Sequence, residues 1–408
     1  MRQPELLRHQ AFFDRLADLQ EHDPTWPTLS AGLLVLRQLD DRLRDGLRPD
    51  VRSTAFTLDA ARAVLITDPT RRILVGLAEL AVEAEPSRHA LAVQLFAWAR
   101  TLENNAAWAL AQDVYRAVTE FIPADDDLEI VTDAWMRRAY VARMMAAYSD
   151  AEFAIERGRE FAARLGDASR LLRLRMASAN VAVDRHQPEL AEHIIAETVA
   201  LAAPLGGPVY SEALHGRGNV ARMRGDSVSA LQFYHRALEG SPSDIGRERL
   251  LLTISAVSID VGARSMARDA LLVLAVTAQT RNTRWLAVVN LLEIAVLDRN
   301  EISFESYRRE LASEPLSPIA AGYFALYEGH GHRAFGRPDL AAASYERALQ
   351  NAHDHQLGKL VVEAEAAMAG LSEMDEMIWP EAESPVPSAL EPLARHVRAM
   401  RECLSGEG

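Results

Sequence analysis

The chain has 408 residues, a formal net charge of −14, 49% hydrophobic and 6% aromatic residues, and one cysteine, Cys403. Length and apolar content allow two or three ordinary domains or one long repeat array, and the acidity disfavours a phosphate backbone as partner. A single cysteine excludes an intramolecular disulfide and a cysteine-based zinc site.

In chain order the first 50 residues predict two helices, around Glu5 to Glu21 and Thr28 to Arg44, split by HDPTWP. A further helix pair without a clear signature follows over 52–84. From there nearly every segment has the i, i+3, i+4, i+7 rhythm of amphipathic helices, and no sustained β-alternation occurs. The fold class expected is all-α. The segment AAWALAQDVYRAVTEFIP carries Ala111, Tyr115 and a closing Pro123; YSDAEFAI carries Ala151, with Trp135 sixteen before it; HQPELAEHII carries Ala191. GDSVSALQFYHRALEGSP carries Ala230, Tyr234 and Ala237-Leu238, GARSMARDALL carries Ala267, and GRPDLAAASYERAL carries Ala341, Tyr345 and Ala348-Leu349. The alanine steps are 40, 40, 39 and 37, then 74 as two steps of 37, with Ser303 near the midpoint. About seven units keep this period, which marks a repeat architecture.

Residues 359–371 read as a capping helix. The stretch SEMDEMIWPEAESPVP, with five acidic residues, no basic ones and three prolines, reads as a linker. The last segment puts Leu390, Leu393, Val397, Met400 and Leu404 on one helical face, which calls for burial against the array, a partner or another copy. The expected division is 1–50 as an N-terminal helical segment, 51–371 as the array, 372–387 as the linker and 388–408 as a C-terminal amphipathic helix.

Gly225 to Pro242 closely resembles the second helix of a tetratricopeptide repeat, and Leu214, Gly218 and Ala221 resemble that family's large, small and contact residues in the first helix. The period exceeds the family's usual 34 and is similar to that of bacterial peptide-sensing regulators of the Rap and PlcR types and of sensor arms in transcription activators. The resemblance covers roughly 90–370. It implies a right-handed superhelical solenoid of antiparallel helix hairpins, with a concave surface lined by the first helix of each repeat. The family's binding positions, roughly the second, fifth, ninth, twelfth and thirteenth of each repeat, correspond here to a set including Arg100, Tyr140, Arg143, Arg173, Asn180, His215, Asn219, Arg222, Arg249, Asp260, His330 and Arg333. Asn180 and Asn219 both fall at the ninth position, where the family holds ligand backbone; an amide offers one acceptor and two donors to a peptide unit. The arginines suit carboxylates.

Residues 216–221, GRGNVA, match the G-x-G-x-x-A loop that cradles a dinucleotide. No strand precedes them, and the repeat gives Gly218 another purpose, so no cofactor is expected. His330 and His332, and His353 and His355, are two apart and point to different sides of a helix, which argues against metal binding. No Ser-His-Asp or Cys-His arrangement is apparent. The one candidate for a DNA-binding helix-turn-helix, Leu39 to Val64, is too acidic. The expected function is a scaffold or receptor that binds a peptide or protein segment, acidic or with a free carboxylate, without catalysis of its own. The alternative is a peptide-regulated signalling effector or transcriptional regulator acting on a partner protein. With no secretory signal and no apolar run of spanning length, a cytoplasmic location without membrane contact is expected. The terminal helices are the candidates for self-association.

Overall fold

The computed structural model describes residues 8–19, 23–47, 50–83, 85–123, 125–240, 242–355, 357–372 and 385–405. Among them the secondary structure is helix and turn, with no strand. The chain is an all-α helical solenoid. It divides into two compact units, 1–185 and 186–408.

The first unit holds α1 (Gln10–Asp18), α2 (Trp26–Leu39), α3 (Val51–Ala63), α4 (Thr70–Leu80), α5 (Arg88–Asn104), α6 (Trp108–Phe121), α7 (Leu128–Met144), α8 (Tyr148–Leu165) and α9 (Ala168–Asp184). The expected break at HDPTWP is shorter than the sequence suggests. Trp26 and Pro27 belong to the first turn of α2, where a missing N–H costs nothing. The helix then continues as one wider turn over Asp40–Arg44. The described part of α1 is shorter than expected, and residues 5–7 and 20–22 lie outside the described residues. One hydrophobic core runs from Phe12 to Val181, so the N-terminal helices share it with the hairpins that follow.

The second unit holds α10 (Pro188–Ala202), α11 (Gly207–Met223), α12 (Ser227–Glu239), α13 (Asp244–Asp260), α14 (Arg264–Thr277), α15 (Arg281–Leu297), α16 (Glu301–Ala312), α17 (Pro318–Ala334), α18 (Pro338–Asp354), α19 (Gly358–Ser372) and α20 (Glu391–Ser405). Helices pack on their sequence neighbours, most extensively α11 on α12 and α17 on α18. The linker expected over 372–387 lies mostly outside the described residues. Beyond it, Leu390, Leu393 and Val397 are buried. α20 lies on α12 and α14 of its own chain, and the Arg401 Nη1 donates to the buried Asp269 carboxylate at 2.6 Å. No helix among the described residues is long and apolar enough to cross a membrane.

Local chemistry explains where the first helices begin and end. Ser87, Asp127, Asp167, Ser243, Thr280 and Ser317 each precede one, and each side chain accepts from a backbone N–H of the first turn. Within each unit the hairpins turn on one left-handed residue, Ala106, Ala146, Gly225, Gly262, Arg299 and Gly336, and His186, between α9 and α10, is left-handed too. Five residues after each comes the position read as the repeat alanine: Ala111, Ala151, Ala191, Ala230, Ala267, Phe304 and Ala341. The sixth member corrects the sequence reading, which placed Ser303 there. Phe304 is fully buried, whereas Ser303 is half-exposed. A phenylalanine fits because Gly331, on α17, leaves room for its ring.

A Cβ in the left-handed region costs roughly 1–2 kcal/mol, less what glycine gives up in unfolded-chain entropy. Ala146, at φ 55, is exposed and needs no side chain. Ala146→Gly is therefore expected to stabilise the protein by about 0.5–1 kcal/mol, read as a higher denaturant midpoint with an unchanged slope. A midpoint that stays put or falls would show that the turn stores no strain.

Candidate functional site

The residues singled out from the sequence lie on first helices: Arg100 on α5, Tyr140 and Arg143 on α7, Arg173 and Asn180 on α9, His215, Asn219 and Arg222 on α11, His330 and Arg333 on α17. Counting eleven back from each repeat core residue gives Arg100, Tyr140, Asn180, Asn219, Ala256, Glu293 and His330. Glu293 was missed because its repeat was read out of register. With Phe304 as the core residue it takes the ninth position, equivalent to the two asparagines.

In the first unit the arginines are engaged by the chain itself. Arg100 donates to Glu103 at 2.8 Å, and that buried carboxylate also takes Arg137 and the Tyr115 hydroxyl. Arg143 donates to Asp184 at 2.8 Å. Tyr140 stands edge-on to Trp108, with the Arg137 guanidinium 4.6 Å and that of Arg143 5.6 Å from its ring centre. Arg173 and Asn180 are half-buried. A ladder of arginines waiting for carboxylates does not describe this unit.

The second unit is different. Residues 216–221 lie in the middle of α11, where the backbone N–H groups belong to the helix ladder and cannot cradle a phosphate. A Cβ on Gly218 would stand 2.3 Å from the Tyr234 ring, so the glycine permits the close crossing of α11 and α12. The Tyr234 hydroxyl donates to Asn219 Oδ1 at 2.8 Å. That fixes the amide and leaves its NH2 donors for another group. The geometry repeats in α17 and α18: Gly329 meets the Tyr345 ring, and His330 Nδ1 lies 2.9 Å from the Tyr345 hydroxyl.

Burial pushes His330 down to about 4, with Arg333 adding to it. Burial, then the charges of Arg249 and Arg222, holds His215 near the same value. Both imidazoles are neutral polar groups at physiological pH. Arg333 donates to the Gly370 carbonyl at 3.1 Å. Arg222 and Arg249 are exposed, and no carboxylate among the described residues pairs with either.

The Lys359 ammonium on α19 is held above its ordinary value by Tyr323 first and then by Glu363, with burial and the charge of Arg222 opposing. An arginine on α11 thus acts on a lysine eight helices later. The ninth position of α15 and the neighbouring α17 and α19 carry an acidic and aromatic set, Glu293, Tyr323, Tyr327 and Glu363. The Glu293 carboxyl is pushed up to about 7 by burial against the hydrogen bond from Tyr327, and the charges of Asp260 and Glu363 add to the rise. Among the described residues no three His, Cys, Asp or Glu side chains come together as a metal site.

Among solved structures, the chain is similar to the tetratricopeptide-repeat domain of P58(IPK), at 16% identity over 83% of this chain and 98% of that one, with a TM-score of 0.23. No protein-family model matches the sequence, and no curated protein matches it.

Proposed function

We propose that the chain is a binding scaffold without catalysis of its own, and that the inner face of its second unit takes an extended peptide or protein segment. The observation that carries this reading is the set formed by Asn219, Arg222 and Arg249. An oriented amide shares α11 with the exposed Arg222, and the exposed Arg249 on α13 acts with Arg222 on His215; neither guanidinium has a counter-charge among the described residues. Guanidinium forks pair with carboxylates, and an amide matches a peptide unit. A segment ending in a free carboxylate, or carrying an acidic side chain, fits this end of the groove. Arg100 and Arg143 already have carboxylates from the chain and are not part of the proposed contact.

The test takes peptides recovered from a native-host lysate on the full-length chain and resynthesises each with a free and with an amidated C-terminus. The expected result is that removing the carboxylate, or introducing Arg222→Ala with Arg249→Ala, weakens binding by about 1–3 kcal/mol per contact. Asn219→Ala should weaken both peptide forms. Circular dichroism checks that each variant folds. Equal binding of wild type and the arginine variant, or no dependence on any acidic group of the peptide, would place the interaction elsewhere.

A further inference from the structure

Glu293, on α15, is a half-buried carboxylate whose charged form burial disfavours, with no ion-pair partner among the described residues. Several other buried acids are paired with arginines, although Glu248 accepts the Gln279 backbone N–H instead. Glu103 sits on Arg100 and Arg137, Glu328 on Arg308 and Arg347, and Asp269 on Arg398 and Arg401. Lys359, whose charge opposes the rise at Glu293, is paired with Glu363 at 3.4 Å and stands well out in solvent. Enclosing a charge without a counter-ion costs several kcal/mol. A proton relieves that cost in the free protein, and a cationic group brought by a ligand would relieve it in a complex.

The side chains around Glu293 suit such a group. Tyr323, Tyr327 and His330 recur at i, i+4 and i+7 and form one stripe along α17. The two tyrosine rings are 5.9 Å apart at 35°, and Tyr327 and His330 are 6.2 Å apart at 34°. Aromatic faces carry negative potential and attract cations. The Tyr327 hydroxyl lies near the Glu293 carboxyl and favours its charged form, against the effect of burial. Asp260 on α13 and Glu363 on α19 add negative charge from both sides. A second anion would be repelled, and an uncharged apolar group would bury the carboxylate without compensation.

We propose that the surface formed by Glu293, Tyr323 and Tyr327 binds a cationic group of the ligand, an alkylammonium or guanidinium, seated on the tyrosine rings against the Glu293 carboxylate. The inference rests on the groove reading above and deepens it: the segment bound there carries a positive charge towards α15 and α17 and a negative one towards Arg222 and Arg249. Protons compete with the cation for the same carboxylate. Asp260, Glu363, Lys359, Tyr323 and Tyr327 are the titratable or charged groups that face it.

The probe is Nα-acetyl-arginine amide, with Nα-acetyl-citrulline amide as its uncharged counterpart, observed by ligand NMR on the full chain. The expected result is saturable binding of the arginine probe at pH 8, at least fivefold weaker binding of the citrulline probe, and a roughly tenfold loss for arginine at pH 6, as a carboxyl titrating near 7 requires. Glu293→Gln should remove both the preference for charge and the dependence on pH. Tyr323→Leu keeps bulk but removes the ring; it should weaken the arginine probe at least threefold, and it serves if the glutamine variant does not fold. Equal binding of the two probes, a Glu293→Gln variant that behaves as wild type, or no saturable binding of the arginine probe overturns the proposal. If free-carboxylate peptides bind through Arg222 and Arg249 while the arginine probe fails, this inference falls and the groove reading stands. If the arginine probe binds as described and peptide carboxylates have no effect, the carboxylate contact at Arg222 and Arg249 falls and the cationic subsite stands.

Discussion

His9→Ala is expected to destabilise the first unit by about 3 kcal/mol, because it leaves two buried carboxylates facing each other with only the partly exposed Arg8 and Arg116, each at 3.7 Å, as counter-charges. His9 precedes α1, and its ring reaches two other elements: Nε2 lies 2.9 Å from Asp40 and Nδ1 2.9 Å from Asp113 on α6. All three side chains are buried. Burial alone would push the imidazole down. The hydrogen bonds and charges of Asp113 and Asp40 outweigh it and raise the ring to about 9. Asp40 is held below its ordinary value by His9, against the penalty of its own burial.

The sign of the pH dependence follows from these shifts. A raised histidine contributes its full stabilisation below the unfolded value of about 6.5 and loses it as pH climbs through about 9. The depressed Asp40 contributes above the ordinary carboxylate range and fails only as pH falls through its lowered value. Wild-type stability should therefore decline between about pH 6.5 and 9, and His9→Ala should flatten that decline. Adding Asp113→Asn to His9→Ala should recover part of the loss by removing one stranded charge. Denaturant unfolding at pH 6, 7.5 and 9 measures all of this. A loss below about 1 kcal/mol with an unchanged pH profile would mean that the triad opens at little cost.

How far the sequence reading carried depends on where each constraint lives. The alanine at the hairpin crossing and the tyrosine four residues on are local features. They were legible because close helix packing demands small residues at fixed spacing, as at Ala230 and Tyr234. The stripe on the last helix was legible too, though not the surface it covers. What failed was non-local. Phe304 violates the small-residue rule, and its compensation, Gly331, sits in the next hairpin. Without that pairing the repeat had no register, and Glu293 went unseen at the ninth position. The arginines show the same division. Their helix face follows from spacing, but the bond from Arg143 to Asp184 joins different hairpins and could not be read from either one. Pro27 misled for the opposite reason: a proline that reads as a break is tolerated in a first helical turn.

The pairing of Phe304 with Gly331 yields the second large effect. A Cβ on Gly331 would stand 2.0 Å from Phe304 Cε2 and 2.4 Å from its Cζ, inside any tolerable contact. The ring cannot swing clear, since His332 stands edge-on at 5.7 Å and Phe335 lies at 5.3 Å. Gly331→Ala should therefore cost about 3 kcal/mol, the upper end for overpacking. Gly358, with open space around it and at the start of a helix, is the control whose alanine variant should change little. Phe304→Ala alone should cost about 3–5 kcal/mol through the cavity it leaves. Phe304→Leu shortens the side chain where the new methyl intrudes, so combining it with Gly331→Ala should cost less than the sum, by a coupling of about 0.5–3 kcal/mol. Guanidinium unfolding of the four proteins gives the cycle, followed through the second unit's transition if the two units melt separately. Strict additivity would mean that the ring and the glycine do not share one space. Phe304 would then lose its place as the equivalent of Ala230, and Glu293 its place beside Asn219.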